Sequence, residues 1–286
     1  MDQKANISSL LARVGDLPGI PDIAQKVLAL IRNPNSNMAD LARVLSLDQS
    51  LAGLVLRWAN SAYYGLRTPA STVQQAVVQL GQQAIRNVIL ASSVATILER
   101  PAKGYDLEKG DLWRHSIGVA SAARLVAKKF GNEISEEAYT AGLLADIGKL
   151  AFEVLLRDVD TSTPEWQSQP FSEMEVKYFG VDHAALGSEL ARRWNLPNSL
   201  QDAIAHHHRP MEAKEGALLA AAVHIGDASM MMLGIGIGKD GLKYTLEPAA
   251  CSLMRWTEDD LGIIIDKVIP FIESSDRLIH FKENVE

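Results

Sequence analysis

The residues best suited to chemistry in this chain are histidines and aspartates that lie far apart in the sequence. They are His115, Asp146, His183, Asp227 and the run from His206 to His208. Imidazoles and carboxylates are good ligands for first-row divalent metals, and two-metal sites use such ligands to activate water for attack on phosphate esters. Because separate helices would have to direct these side chains inward, their spacing alone leaves the site a hypothesis.

The apolar stretch around Asp146 is the segment on which this hypothesis depends. Apolar residues recur there at helical spacing, which predicts one helix over about residues 136–157, with Ser135 as its N-cap. Asp146 and Lys149 would lie on adjacent turns of that helix. A carboxylate among apolar neighbours needs hydrogen bonds, a counter-charge or a metal. The plainer alternative to a metal is a pairing with Lys149, with His115 or with a helix end.

The elements that must position these residues are predicted to be helices. Capping residues, prolines and glycines punctuate nearly every segment, and the sequence shows no convincing alternating strand. The predicted helices span about residues 21–33, 38–46, 49–60, 72–81, 82–98, 108–130, 136–157, 172–179, 183–194, 199–208, 215–233 and 258–273, with an irregular stretch or hairpin at 240–248. The predicted fold class is therefore all-α.

The segment Pro101-Ala-Lys-Gly-Tyr105 is the clearest break in this series of helices. Proline and glycine close together favour a connection rather than a continuous element. The predicted organisation is an N-terminal helical lobe at residues 1–100 and a second helical lobe, with a C-terminal helical extension, at residues 101–286.

Charge and composition exclude several classes of protein. The formal net charge of -7 argues against broad nucleic-acid binding. Residues 38–60 superficially resemble a helix-turn-helix, but they carry no basic stripe, so we interpret them as packed helices. Cys251 is the only cysteine, which excludes an intrachain disulfide and a thiolate metal cluster. No secretory signal is apparent at the N-terminus, and a cytoplasmic location is expected.

One apolar segment, residues 216–238, has about the length of a membrane span. It carries His224 and Asp227 near its middle, and an aspartate at the centre of a bilayer costs roughly 2.5–3.5 kcal/mol on insertion scales. The segment is therefore predicted to be a buried core helix, and no membrane association is expected.

The segment around Asp146 reads Gly142-Leu-Leu-Ala-Asp-Ile-Gly-Lys149. It resembles the signature of the HD superfamily of metal-dependent phosphohydrolases, which contains a His-Asp pair, and His115 matches the upstream histidine of that superfamily. The other similar segments are Val181–Leu190 followed by Trp194–Pro197, Ala203–His208 and Val223–Asp227.

The first lobe makes the resemblance more specific. Its matching segments are Leu17–Pro21, Lys26–Leu28, Asp48–Ala52, Arg57–Gly65 and Gln79–Gly81. Together with the second lobe they resemble the HDOD domain, the HD-related output domain of bacterial signalling proteins, over roughly residues 10–230. The resemblance implies a multi-helical HD-like bundle with an N-terminal helical lobe packed against it.

The resemblance also implies a residual set of metal ligands. Its members are His115, Asp146, His183, His207 and Asp227. The motif places Lys149 where it would contact a phosphate-containing ligand. Motif alignment selects His207, whereas the residues themselves leave the choice between His206 and His207 open. His206 and His208 are expected to include at least one surface residue, because successive helical positions cannot all face one pocket.

Position 145 departs from the hydrolytic pattern. Ala145 stands where a hydrolytic HD enzyme has the histidine of the His-Asp pair. A methyl group can neither coordinate a metal nor transfer a proton, and the loss of even an indirect partner typically weakens a metal site 10–100-fold. No catalytic residue is therefore assigned.

The sequence thus predicts a regulatory HDOD module of bacterial signal transduction that lacks phosphohydrolase activity and acts by ligand sensing or protein docking. No cofactor is expected, and the one cofactor that the ligand set allows is a divalent ion such as Mn²⁺, Mg²⁺, Fe²⁺ or Zn²⁺. The expected partner is a signalling protein or a small phosphate-containing ligand. The alternative function is a metal-dependent phosphohydrolase with an altered ligand set.

Overall fold

The structure, a computed structural model, describes residues 3–15, 22–33, 35–61, 63–239 and 243–279. The predicted all-α fold is confirmed, since these residues contain helices and only one isolated bridge, between Ala102 and Leu107. The helices are α1 (Gln3–Val14), α2 (Asp22–Arg32), α3 (Met38–Ser46), α4 (Gln49–Ala59), α5 (Val73–Leu98), α6 (Asp111–Ala127), α7 (Asn132–Leu144), α8 (Lys149–Leu155), α9 (Pro164–Ser168), α10 (Phe171–Phe179), α11 (His183–Arg193), α12 (Asn198–Ala205), α13 (Ala217–Met232), α14 (Pro248–Met254) and α15 (Glu258–Ile279).

The chain forms two compact units. The larger one comprises Met1–Gly19 and Ile97–Ile264, and the smaller one comprises Ile20–Thr96 and Ile265–Glu286. The predicted division lies between residues 100 and 101. The internal contacts instead group residues 1–19 with the larger unit and residues 265–286 with the smaller one. The candidate site residues all belong to the larger unit.

The smaller unit has an aromatic core. The fully buried Trp58 packs edge-on against Phe271 with ring centroids 5.8 Å apart, and Tyr63 stacks on the same phenyl ring at 4.0 Å. These aromatic residues therefore serve packing. The predicted break near Gly81 is present as a kink inside α5, where φ is 81°.

In the larger unit, α6 packs closely against α7 and α13. A Cβ atom on Gly142 would lie 2.9 Å from Ala120 Cα, and one on Gly226 would lie 2.9 Å from Val119 O. Glycine at these two positions lets the three backbones approach closely. The approach brings α6 and α13, which carry His115 and Asp227, next to the end of α7.

The prediction of one helix over residues 136–157 is wrong. Helix α7 ends at Leu144, a tight turn follows, and α8 begins at Lys149. The reason is packing at Gly148, where a Cβ atom would lie 1.9 Å from the backbone oxygen of His183. The chain turns there to pass α11, so Asp146 lies in a turn. Ser135 is not the N-cap either, because it lies inside α7 and donates its hydroxyl to Arg124 O.

Other element boundaries also differ from the prediction. Helices α1, α9 and α14 were not predicted, and α12 ends at Ala205 rather than at residue 208. Residues 240–242 of the predicted hairpin, and Pro21, lie outside the described residues. None of the helices in the described ranges has the length and apolarity needed to cross a bilayer. The apolar segment forms α13, whose residues are nearly all buried, including Asp227.

Candidate metal centre

The predicted site residues converge on Asp146 in the interior of the larger unit. They come from α6 (His115), the turn after α7 (Asp146), the start of α8 (Lys149), the start of α11 (His183), the segment after α12 (His207 and His208) and α13 (Asp227). All of these side chains are buried or nearly so. The two carboxylate oxygens of Asp146 face different groups, which we call the salt-bridge cluster and the imidazole cluster.

The salt-bridge cluster comprises His115, Lys149 and Asp227 around Asp146 Oδ2. Lys149 Nζ donates to Oδ2 over 3.0 Å, and His115 Nε2 lies 3.5 Å from the same oxygen. His115 Nε2 is also 2.8 Å from Asp227 Oδ1, and its Nδ1 is 2.7 Å from Ile235 O. Both ring nitrogens of His115 thus face acceptors, which suits an imidazolium ion.

Electrostatics in the salt-bridge cluster agree with this protonation state. Burial lowers the pKa of His115, but its hydrogen bond to Asp227 and the charges of Asp227 and Asp146 outweigh burial and raise it. Burial raises the pKa of Asp146, whereas Lys149 first and the neighbouring histidines next hold it well below the ordinary value. The cluster is a mutually satisfied set of two cations and two anions.

The imidazole cluster comprises His183, His207 and His208 around Asp146 Oδ1. The Oδ1 atom lies 3.3 Å from His183 Nε2 and 3.7 Å from His207 Nε2, while the Nε2 atoms of His183 and His208 are 2.9 Å apart. Three buried atoms here have no hydrogen-bond partner, namely Asp146 Oδ1, His207 Nε2 and His208 Nδ1. Buried polar atoms without partners are costly and call for an explanation such as a bound ion.

The imidazole rings are oriented by bonds on their outer sides. His183 Nδ1 lies 2.7 Å from Oε2 of the fully buried Glu175, which also accepts the backbone N–H of His183. Tyr105 donates its hydroxyl to the other oxygen of Glu175. His207 Nδ1 lies 2.8 Å from Ile204 O. In both rings Nδ1 therefore bonds outward, and Nε2 faces Asp146.

The three successive histidines diverge after α12. His206 caps the helix and pairs with Asp202, whereas His207 and His208 both lie inside the crevice. His208 stacks on Tyr244, with ring centroids 4.3 Å apart. The sequence reasoning left His208 out because it assumed a helix to residue 208, and this assumption is wrong. Non-helical backbone after Ala205 lets two neighbouring imidazoles point the same way.

The three imidazoles of this cluster differ in their protonation. Burial lowers the pKa of His207, and burial together with its neighbours His207 and His183 lowers the pKa of His208 well below the ordinary value. Burial also lowers the pKa of His183, but the charge of Glu175 and the contact with Asp146 raise it to about 10. Two imidazoles are therefore neutral, which is the form that binds metals, and a metal at His183 would displace a proton.

Comparison with known proteins identifies the family of this chain. The HDOD domain model matches residues 17–210. The chain belongs to the HDOD family. A relative from Treponema pallidum, itself uncharacterised, is 26% identical over 212 residues, which are 73% of this HDOD chain and 40% of that relative. The chain thus spans less than half the length of that protein.

Two solved structures resemble this HDOD protein over most of its length. An HDOD domain protein of unknown function from Geobacter sulfurreducens is 25% identical, with a TM-score of 0.75 and coverage of 97% of this chain and 98% of that one. A Shewanella amazonensis protein, provisionally named a phosphohydrolase, is 27% identical, with a TM-score of 0.58 and coverage of 91% and 98%.

The imidazole cluster of the HDOD chain fits one divalent cation. One ligand atom from each of Asp146, His183, His207 and His208 lies within 4.8 Å of the others. Tetrahedral metal–ligand bonds of about 2.0–2.1 Å place ligand atoms about 3.3 Å apart, close to the spacing around Asp146 Oδ1. Outward bonds from Nδ1 of two imidazoles are also typical of metal-binding histidines.

The other ligand group is His115, Asp146 and Asp227, whose atoms also lie within 4.8 Å of one another. Its atoms, however, already bond to each other and to Lys149. The HDOD chain has Ala145 at the position of the further histidine that the HD signature implies. In the described part of the chain, this group therefore forms a salt-bridge network around Asp146 Oδ2.

Glu175 was missed entirely by sequence reasoning. It lies eight residues before His183 on a different helix, α10, and only the fold joins the two side chains. A signal was present, since Glu175 is an acid on the buried side of a helix whose other charged residues are exposed. A buried acid without a partner in its own helix indicates a partner elsewhere.

Proposed function

We propose that this HDOD chain is a regulatory module that holds a single divalent metal in the imidazole cluster and lacks phosphohydrolase activity. The observation that carries this proposal is the unequal satisfaction of the two clusters. In the two clusters, the buried atoms without a hydrogen-bond partner belong to Asp146, His207 and His208. None of them belongs to His115 or Asp227. Asp146 Oδ2 is already bonded to Lys149, which opposes its use as a bridge to a second ion.

The proposed lack of hydrolysis follows from the number of metal ions and from the number of protein ligands around the ion. Two-metal phosphoesterases clamp the attacking and leaving oxygens between two ions about 3.5–4 Å apart. Four protein ligands complete a tetrahedral zinc site, as in structural sites, whereas catalytic zinc sites keep an open position. An ion bound here would fix the four side chains and place positive charge in the crevice near Lys149, where a phosphate-bearing ligand would be attracted.

Metal content and turnover test this proposal together. The full chain is purified, stripped with a chelator and reloaded separately with Zn²⁺, Mn²⁺ and Fe²⁺, and the bound metal is measured by mass spectrometry. We expect about one ion per chain, with a rise in melting temperature because the ion binds only the folded state. Hydrolysis of bis(p-nitrophenyl) phosphate and of cyclic dinucleotides should not exceed that of Asp146→Ala. About two ions per chain, with turnover that Asp146→Ala abolishes, would overturn the proposal.

The second candidate is phosphohydrolysis with an altered ligand set. It is favoured by the survival of His115, Asp146 and Asp227 within ligand distance of one another, and by the provisional name of the Shewanella amazonensis relative. In that case Asp227→Asn should remove both an ion and the activity.

Calorimetry separates ligand sensing from protein docking. Guanosine and adenosine nucleotides, linear and cyclic, are titrated into the metal-loaded chain. Heat that is lost in Lys149→Ala supports sensing of a phosphate-containing ligand in the crevice. The absence of heat with every nucleotide supports docking of a signalling partner on the surface of the module.

A further inference from the structure

A cavity in the larger unit is lined by residues outside the metal centre. Its volume is about 720 Å³, it opens to solvent, and its lining residues all belong to the larger compact unit. None of the metal-centre residues lines it. Two residues of its wall are sequence neighbours of the site: Leu150 directly follows Lys149, and Gly104 directly precedes Tyr105. Small-molecule sites typically measure 300–1,000 Å³, so the cavity is large enough for a nucleotide-sized ligand.

Basic side chains dominate the polar lining of this cavity. Arg100, Lys103, Arg157 and Lys239 all contribute to its wall. In the described part of the chain, the side chains of the first three make no hydrogen bond or ion pair, and Lys239 Nζ reaches only Ser162 Oγ at 3.5 Å. A concentration of unpaired cations in one concavity is unexpected on a chain of net charge -7.

The two acids in the wall are already engaged with backbone groups. Glu153 accepts the N–H of Gly104 over 2.8 Å, and Asp160 accepts the N–H of Ser162 over 2.9 Å. Neither carboxylate forms an ion pair with the basic residues of the lining. The lining carries four basic and two acidic side chains, so its net charge is positive, and a concave wall focuses such a field on an anion.

The rest of the wall is apolar and includes Leu150, Val154 and Leu156. We propose that this cavity binds an anionic small molecule with an apolar or aromatic body, whose charged group contacts Lys103 and Arg157. The combination of apolar surface and a few charged groups is typical of sites that take such amphipathic ligands. The proposal does not depend on the metal centre, because no metal ligand lines the cavity.

The test uses 8-anilinonaphthalene-1-sulfonate, an aromatic anion that fluoresces when it leaves water. Titrated with the full chain, it should bind saturably at about one site, in the presence or absence of a chelator. Lys103→Glu and Arg157→Glu should each weaken binding about tenfold or more, because each replaces an attraction by a repulsion. Val154→Trp should also weaken binding, because the indole occupies part of the cavity, and circular dichroism checks that each variant is folded.

The matched control is Lys128→Glu, which makes the same change of net charge at an exposed lysine that does not line the cavity. It should leave binding within about twofold of the unmodified chain. Binding that Lys128→Glu weakens as much as Arg157→Glu would show only general attraction to the protein surface and would overturn the proposal. Absence of saturable binding to the unmodified chain, or its loss on chelation, would overturn it as well.

Discussion

The two sides of the crevice use similar residues but differ in how well their polar atoms are satisfied. In the salt-bridge cluster, His115, Lys149 and Asp227 meet partners of opposite charge at 2.8–3.0 Å. In the imidazole cluster, His207 and His208 keep buried nitrogen atoms without partners. Asp146 belongs to both, with one oxygen facing each side.

This difference shows that a ligand set cannot be read from residue types alone. Histidines and aspartates form a self-sufficient network on one side and an unsatisfied cluster on the other. The cost of a buried polar atom without a partner is about 1–3 kcal/mol, so three such atoms in one place favour an ion that satisfies them together. The pKa shifts follow this division only in part: the pKa of His115 is raised and those of His207 and His208 are lowered, whereas Glu175 and Asp146 raise the pKa of His183 to about 10.

The largest effect is expected from Asp146→Ala in the metal-free chain. The substitution removes the carboxylate that compensates the buried charges of Lys149 and His115, and the loss of one partner of a buried ion pair typically costs about 3–5 kcal/mol. Urea unfolding measures the change. The control is Asp182→Ala, another buried aspartate, whose carboxylate caps α11 and whose loss should cost about 1 kcal/mol. Equal losses would contradict a special role of Asp146.

The second prediction compares the two clusters directly through metal affinity. His207→Ala should weaken binding more than about 100-fold, because it removes a ligand, and outer partners alone are worth 10–100-fold. Asp227→Asn should weaken it less than about tenfold, since Asp227 hydrogen-bonds to His115 and approaches the imidazole cluster only at 3.8 Å, from Oδ2 to His208 Nδ1. Competition with a chromophoric chelator measures both values. The comparison fails if Asp227→Asn loses as much affinity as His207→Ala.

Much of the fold could be predicted from the sequence because helices leave a periodic apolar pattern and specific end signals. Helices α3 and α10 were predicted to within a residue of their observed bounds, and the kink at Gly81 was foreseen as a break. The turn at Gly148 could not be predicted, because the residue that forces it, His183, approaches only in the folded chain. Local sequence signals do not encode that approach.

For the site, sequence motifs could predict which residues belong to it but not how those residues are arranged. His115, Asp146, His183, His207 and Asp227 were chosen through resemblance, and the structure brings all five together. The division into two clusters could not be predicted, because it depends on which oxygen of Asp146 faces which ring. Hydrogen-bond geometry of that kind is determined by packing rather than by residue type.

The third prediction tests whether the salt-bridge cluster can be made to bind a second metal ion. Ala145→His restores the imidazole that the HD signature implies next to Asp146, and we expect the metal content to rise from about one to about two ions per chain. Ala145 is only 3% exposed, so the larger side chain should also cost about 1–3 kcal/mol of stability. Metal analysis and urea unfolding check the two effects. An unchanged metal content would show that the network around Lys149, and not the missing imidazole alone, excludes the second ion.

The fourth prediction concerns the outer support of the imidazole cluster. Glu175→Ala should weaken metal binding about 10–100-fold, because Glu175 holds Nδ1 of His183 and leaves Nε2 for the ion. Glu175→Gln keeps an acceptor oxygen and should recover most of the affinity. Nitrogen chemical shifts of His183 should report a mixture of tautomers in Glu175→Ala. Equal affinity of the two variants would contradict an orienting role.

The smallest effect is expected at Asp202, which lies in α12 and pairs with His206. Its Oδ2 accepts the backbone N–H groups of Lys214, Glu215 and Gly216 at 2.7–2.9 Å, just before α13. Asp202→Ala should therefore cost about 1 kcal/mol at neutral pH, since the carboxylate is partly exposed. Urea unfolding measures this loss, and Arg192→Ala, which alters only an exposed ion pair, is the control.

The pKa of Asp202 determines how the stability effect of Asp202→Ala changes with pH. Burial raises the pKa of Asp202, but the three backbone N–H groups and His206 outweigh burial and lower it. A depressed folded-state pKa means that the contribution is present above the unfolded pKa of about 3.9 and is lost as the pH falls through the folded value. The stability gap between the unmodified chain and Asp202→Ala should thus narrow below about pH 4. A gap that widens in acid would show that Asp202 stabilises the fold through its protonated form, so the loop before α13 would be held in a different way.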